Sequence, residues 1–312
     1  MGIAWGFGLL AVSAALLIAG AELFTENARA AARGLKITVF AAAFLLAGAE
    51  PEEMITAAIA SERHHPGLAG GDAIGANLTM LTLVLGLAAL ARPLPFGGRV
   101  RGYAVWSSLA GWLAVLVIAG GRIARWQGGL LLAAYLAGVA LLWWRERQPP
   151  AVGEAAGAGE EDHDVSRPAL LGLALAVVGV VVMAAGGWFA VGGAERVVRA
   201  LGLTDSAIGL TLLALATTAE LFALAWAAMR RGVSEIAVAG VIGSVAYNAT
   251  ATLGVAALIR PLTVTGILVP AIAAAALPVA LLLVTLGGRL NRPTGAVLLL
   301  GYGAWVTAVL AR

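Results

Sequence analysis

The chain of 312 residues has no cysteine and only three histidines, His64, His65 and His163. It can form no disulfide framework and no thiolate metal centre, and it lacks the ligands of a histidine-rich zinc site. Charge is scarce as well. Asp, Glu, Lys and Arg make up 12% of the residues while 61% are hydrophobic, against roughly 25% charged in a soluble domain. Such a chain is suited to lipid. The basic residues behind the net charge of +3 are scattered over many loops. They form no patch, which excludes nucleic acid as a partner. No metal triad, phosphate-binding loop or nucleophile–base pair stands out, so the chain reads as a non-enzyme without a cofactor. The first apolar run, about 20 residues from Ile3, has no basic region before it and reads as a retained span. Gly6 stands where a myristoylation signal needs Ser or Thr.

What is present is a series of apolar runs, each able to supply the roughly 20 residues that cross a bilayer. They predict helices at 3–24, 36–61, 70–91, 101–121 and 127–145, then at 168–192, 205–229, 235–259, 264–287 and 293–311. Between the two sets lies a polar segment with Pro149-Pro150 and Glu160-Glu161-Asp162-His163-Asp164, which reads as a flexible linker. A shift of 168 positions, the separation of Glu52 from Glu220, superposes the sets. Gly34-Leu35 then matches Gly202-Leu203, Ile74-Gly75 matches Ile242-Gly243, and Arg92-Pro93-Leu94 matches Arg260-Pro261-Leu262. An odd number of spans per copy makes the second copy enter the membrane from the opposite side. The expected fold is an all-α polytopic membrane protein with ten transmembrane helices as two inverted five-helix repeats. The repeats are 1–145 and 168–312, joined by a linker at 146–167. Most basic residues, including Arg29, Arg33, Lys36, Arg92, Arg99, Arg101 and Arg145, fall on the linker side. By the positive-inside rule the linker is cytoplasmic and both termini are outside, in a cell (inner) membrane. Trp126 and Trp143-Trp144 suit an interfacial belt.

Three acids, Glu50, Glu52 and Glu53, surround Pro51 inside the second run, and Glu220 lies inside the seventh. A charge at the bilayer centre costs about 2.5–3.5 kcal/mol on insertion scales and is tolerated facing water, a cation or a partner. No Lys or Arg lies deep in the runs beside these acids. As repeat equivalents, Glu52 and Glu220 are expected to meet near the midplane, where transporter sites form. At about 6 Å and an effective dielectric of about 20, two such carboxylates repel by roughly 3 kcal/mol. The pair then prefers one divalent cation, two monovalent cations or protons. Oxygen donors without nitrogen or sulfur favour hard cations, calcium foremost. A site that resists being empty as it changes sides exchanges and does not leak.

Neighbouring residues extend the donor set. Pro51 frees the backbone carbonyl of Ala47, as a ligand or as part of a simple kink. The second copy has Ala219 there, so no break is forced in its helix, and it offers the hydroxyls of Thr217 and Thr218. Gly240, Ser244 and Asn248 share one face of the eighth helix. The third offers Asp72 and Asn77, with Thr79 beside them; Asp72 as its N-cap is an equal alternative, and packing roles are open for Asn77 and Thr79. Small residues such as Gly70, Gly71, Gly75, Gly240 and Gly243 let these helices approach closely. His64-His65 and the acidic run at 160–164 read as solvated surface. Glu50 and Glu53 share a face more with each other than with Glu52, and they line a passage, bind protons or face a neighbouring helix.

On these residues the chain resembles the cation/calcium exchanger superfamily, the sodium/calcium exchangers and their prokaryotic relatives. The resemblance rests on Pro51-Glu52, on Gly71-Asp72-Ala73-Ile74-Gly75-Ala76-Asn77, on Ile208-Gly209-Leu210-Thr211 leading to Thr217-Thr218-Ala219-Glu220, and on Gly243-Ser244 with Asn248. It implies ten spans in two inverted fives. It implies calcium roles for Glu52 and Glu220, and sodium or shared roles for Thr217, Ser244 and Asn248. The chain departs from the family pattern at Gly48, Ala49, Ala76 and Met80, where side-chain oxygens are missing, and adds Glu50, Glu53 and Asp72. The expected metal-binding set is Glu52, Glu220, Thr217, Thr218, Ser244, Asn248, Asp72, Asn77, Glu50 and Ala47. The expected function is antiport of calcium, or a similar divalent cation, against sodium, with metal cations and the lipid bilayer as partners. A proton-coupled exchanger of the same fold is the alternative, and a cation channel the more distant one.

Overall fold

The computed structural model describes residues 2–34, 50–146, 168–222, 225 and 234–311. Its helices follow the apolar runs. In the first half they are α1 (Gly2–Gly34), α2 (Pro51–Glu62), α3 (Pro66–Ala91), α4 (Gly98–Ile118) and α5 (Arg125–Glu146). In the second half they are α6 (Ala169–Leu201), α7 (Asp205–Thr217), α8, α9 (Leu268–Val284) and α10 (Arg292–Leu310). Helix α8 starts as Ser234–Tyr247 and runs through a widened π-helical turn, Asn248–Thr252, into Leu253–Ile259. Among the described residues, seven helices are long and apolar enough to cross a membrane. Large aliphatic side chains such as Leu116, Leu170 and Leu300 point outward, 73–77% exposed, as lipid contact requires.

Helices α1 and α6 have 33 residues each, about 50 Å at 1.5 Å per residue. They outlast the apolar runs at 3–24 and 168–192 because the following residues, such as Ala28 to Ala32 in α1 and Ala194 to Leu201 in α6, favour helix. An apolar run marks what lipid touches, not where a helix ends. The two helices are antiparallel neighbours along a seam of glycines. Gly6 meets Gly193, Gly186 meets Leu17, Gly20 meets Met183, and Gly172 meets Asn27 and Ala31. At Gly179 a Cβ would lie 2.6 Å from the Phe24 backbone nitrogen, so only glycine permits that approach.

Helices α3 and α8 form the buried centre of the molecule. Helix α3 packs on α2, α7 and α10, and α8 packs on α2, α4 and α5. Four two-residue strands, β1 (Leu94–Pro95), β2 (Arg122–Ile123), β3 (Leu262–Thr263) and β4 (Arg289–Leu290), tie loops of one half to loops of the other. Leu94 pairs with Leu290 and Pro95 with Arg289, while Ile123 pairs with Leu262 and Arg122 with Thr263. Exchanging the halves turns one ladder into the other. The flanking bonds obey the same exchange: Phe96 N–H donates to Gly288 O (2.8 Å), and Val264 N–H donates to Gly121 O (3.0 Å). Gly121 and Gly288 hold φ of 72° and 77°, a left-handed conformation that favours glycine. Two glycine contacts repeat the pattern, Gly86 with Gly295 and Gly254 with Gly128.

Candidate cation site

The site begins where α2 starts and where α7 ends. Glu50 precedes α2 with φ −130° and ψ 57°, and Pro51 occupies the first helical position, where its missing N–H has no intrahelical role. At the equivalent place in the second half, Thr218 has φ −82° and ψ 5° and separates α7 from the helical residues at 219–222 and 225. The uninterrupted helix expected at 205–229 is therefore corrected at Thr218, though no proline forces the break. The Thr218 hydroxyl donates to Ala214 O (2.7 Å), and its carbonyl accepts from Leu221 N–H (3.1 Å). A threonine hydroxyl that bonds back to the preceding turn weakens helical continuity, and the π-helical stretch Gly209–Leu213 just before it already strains the ladder.

Glycines then bring α3 against α7. Gly71 lies on Gly209 and Leu210, and a Cβ at Gly75 would run into the Leu210 carbonyl. This crossing carries Asp72 to Thr217, whose hydroxyl donates to Asp72 Oδ1 (3.1 Å). Asp72 is buried well inside α3. It is not the N-cap, because Pro66 opens the helix with His65 as the capping residue, four residues earlier than the run at 70–91 implied. Asn77 donates its amide to Val245 O on α8 (3.1 Å).

Glu50, Glu52 and Glu53 are all 1% exposed. Glu53 is the meeting point: Glu50, Asp72 and Glu52 act on it electrostatically, and the Asn248 side chain faces its carboxyl. Neither Glu53 oxygen has a hydrogen bond of good geometry, and the same is true of Asp72 Oδ2, Asn77 Oδ1 and Asn248 Nδ2. Asn248 Oδ1 accepts from Thr252 (3.0 Å), and Ser244 donates to Gly240 O (3.1 Å). Both leave lone pairs for a further partner. Glu220 is buried two residues past the break at Thr218. Ala47, Gly48 and Ala49 lie outside the described residues, as do 147–167 with His163 and the acidic run. Among the described residues no three Asp, Glu or His side chains close on one point, so hydroxyl and amide oxygens belong to any complete coordination shell here.

His65 is not the solvated surface residue expected. Its Nδ1 lies 2.8 Å from Asp205 Oδ2 and its Nε2 lies 3.3 Å from Glu195 Oε1, which also pairs with Arg63 (2.8 Å). This cluster joins the α2–α3 turn to α6 and to the start of α7.

Comparison with known proteins places this geometry. The sodium/calcium exchanger protein family model matches residues 5–144 and again 171–311. The chain belongs to that family. Across 93% of the chain and 94% of the relative, the exchanger is 27% identical to the candidate antiporter CaxA of Alkalimonas amylolytica. A shorter match, covering 43% of the chain and 40% of the relative at 27% identity, is to the sodium/calcium exchanger MaX1 of Methanosarcina acetivorans. A solved structure of the sodium-calcium exchanger NCX_Mj has the same fold, with TM-score 0.65 and 24% identity over 98% of this chain and 99% of that one. The family is one of transporters, and the exchanger is a multi-pass membrane protein.

Glu53, outside the metal-binding set expected from the sequence, stands among those donors in the structure. The signal was available: Glu53 lies in the same acidic stretch as Glu50 and Glu52, and the structure sets it among Glu50, Asp72, Glu52 and Asn248.

Proposed function

We propose that this exchanger is a secondary active antiporter that moves calcium, or a similar hard divalent cation, against sodium. The observation that carries the reading is the buried set of oxygen donors drawn from both halves, with Asp72 on Thr217 and Glu53 facing Asn248. A buried polar atom left unmatched costs about 1–3 kcal/mol, more when charged. Glu53 and Asp72 each keep such atoms, and a hard cation balances them. The proposed ligand shell draws on Glu52, Glu220, Thr217, Thr218, Ser244, Asn248, Asp72, Asn77, Glu50 and the Ala47 carbonyl, and we add Glu53. Buried carboxylates that act on one another, as Glu50, Asp72 and Glu52 do on Glu53, resist standing empty together. Calcium therefore leaves as sodium arrives, which couples the two fluxes.

The proposed architecture is ten spans in two inverted repeats, 1–145 and 168–312, with 146–167 as a cytoplasmic linker and the termini outside, in the inner membrane. The exchanged strand ladders and the family model's two separate matches support it. Helices α1 and α6, sealed to each other along their glycine seam, are proposed to slide across the rest as access alternates.

Calcium uptake into vesicles holding the purified protein, with and without an opposing sodium gradient, tests the reading. Glu52→Gln and Glu220→Gln are each expected to abolish exchange, and exchange surviving both would refute the assignment. A second reading, proton coupling, draws support from Glu50, Glu53 and Asp72, the acids beyond the family pattern. Uptake driven by a pH gradient in sodium-free buffer selects it. Flux without any counter-ion selects a channel.

A further inference from the structure

Helix α6 meets α2 over small side chains. Gly187 lies against Thr56 and Ile59, and Ala190 and Ala194 are fully buried. Such a surface lets backbones approach closely but offers little to interlock. A specific hold stands near the C-terminal end of α6, where Glu195, 8% exposed, is gripped by the α2–α3 turn. Arg63 Nη2 lies 2.8 Å from Glu195 Oε1. The Arg63 guanidinium also lies 4.6 Å over the ring of Trp188, two helical turns back on the same side of α6. His65 Nε2 reaches the same Glu195 oxygen (3.3 Å), while its Nδ1 meets Asp205 at the start of α7 (2.8 Å). Between Arg63 and His65 sits His64 with φ 68°, a left-handed conformation that is usually glycine's at a helix end. Its N–H donates to Ser61 O (3.2 Å) and that of His65 to Ala60 O (2.9 Å), the paired bonds that fix such a turn. A turn held against its own steric preference thus presents both side chains to α6.

The sequence of the other half does not repeat this cluster. Shifted by 168, Glu195, Asp205 and His65 correspond to Asn27, Ile37 and Val233, and only Arg63 keeps its charge, as Arg231. Asn27 spends its amide on Leu23 O within its own helix (2.8 Å). In an inverted-repeat transporter, exchanging the conformations of the halves converts one access state into the other. A contact built into one copy alone therefore favours one of the two states. We propose that Glu195, with Arg63 and His65, is a latch that holds α6 to the core in the access state of this structure and must open before the exchanger reaches the other. The proposal rests on the alternating-access reading above and adds the contact that resists the slide of α6. Hydrogen bonds between charged groups are among the stronger kinds. Arg63 and His65 are each about a quarter exposed, so water can take over both partners as α6 moves away, and the latch can open as well as close.

Two measurements test it. The chain has no cysteine, so His65→Cys together with Glu195→Cys places a single pair of thiols across the contact, which a short, reducible thiol-reactive tether can bridge. Bridging, confirmed by intact mass, is expected to cut sodium-driven calcium uptake into vesicles at least about tenfold. Reduction of the tether restores uptake, and the same reagent leaves either single variant active. Full uptake by the bridged protein would overturn the proposal. So would a pair that cannot be bridged, because the contact would not exist. Glu195→Gln keeps the shape of the side chain and removes its charge. It is expected to shift the balance of the two states about tenfold, so that the calcium KM rises at one face of the membrane and falls at the other. KM values unchanged at both faces, or moved the same way at both as a merely structural residue would give, overturn the proposal. A wild-type protein that moves no calcium overturns the antiport reading and this proposal together. Wild-type exchange with an indifferent bridge overturns this proposal alone.

Discussion

The two halves of the molecule carry equivalent helices but divide the chemistry unequally. Around the start of α2 the first half places Glu50, Glu52 and Glu53, with Asp72 on the next helix, all buried. The second half has Thr217, Thr218 and Glu220 around its break, with Ser244 and Asn248 on the next helix. One half supplies most of the charge, and the other supplies neutral oxygens and a single deep acid. Duplication set where donors stand, and later divergence set what they are. If that division matters, removing charge from the poorer half should hurt most. Glu220→Gln is expected to cost calcium exchange two to three orders of magnitude, the scale of about 3–5 kcal/mol for breaking a buried charge interaction. Glu53→Gln, with Glu50, Glu52 and Asp72 still beside it, is expected to cost about tenfold, near the 1.5 kcal/mol of one charged hydrogen bond. Equal losses in vesicle uptake would show that the halves contribute alike.

The next effect concerns how the halves are joined. Gly75 on α3 lies against the Leu210 backbone of α7, and an added methyl would strike a carbonyl that cannot swing aside. Gly75→Ala is expected to destabilise the protein by about 1–3 kcal/mol through overpacking, read as a lower unfolding midpoint in detergent. Because this crossing presents Asp72 to Thr217, calcium affinity should fall with it. A smaller change tests that contact directly. Thr217→Ala removes the donor to Asp72 Oδ1 and is expected to raise the calcium KM about tenfold, from about 1.5 kcal/mol for a hydrogen bond to a charged group. Thr217→Ser should restore most of it. Failure of the serine variant would mean that the threonine acts through packing and not through its oxygen.

Much of the helix plan was legible because lipid demands long apolar runs and because a duplication leaves paired landmarks such as Arg92-Pro93-Leu94 and Arg260-Pro261-Leu262. What escaped was decided elsewhere. Helix α1 continues to Gly34 on helix propensity, which hydropathy does not see. Pro66 opens α3 early, so Asp72, legible as a cap, is buried beside Thr217. Residues 52 and 53 lie about 100° apart around a helix, and the rotation of α2 that turns Glu53 toward Asn248 depends on packing against neighbours. His65 meets Asp205 across 140 positions of chain, a contact no local pattern announces. The site acids themselves were conspicuous because carboxylates in an apolar run have few other uses.

The smallest expected effect sharpens the comparison furthest. Pro51 opens α2 with Glu50 before it out of helical geometry, whereas the second half has Ala219 at the corresponding position and Thr218 out of helical geometry. Proline inside a continuous helix costs about 3 kcal/mol, but at the first position of a helix it is well tolerated. Proline also disfavours the α region in the residue before it, so Thr218 would have to open its ψ from 5° toward the 57° of Glu50. Ala219→Pro is therefore expected to cost less than about 1 kcal/mol in unfolding midpoint, and to leave calcium uptake within about threefold of wild type. A loss near the full helix-interior cost would mean that the chain through Thr218 needs its helical bonds, and that the halves differ at this point for different ends. A tolerated proline would mean that both copies take a like backbone at this point, set by a ring in one half and by a hydroxyl bonded back to Ala214 in the other.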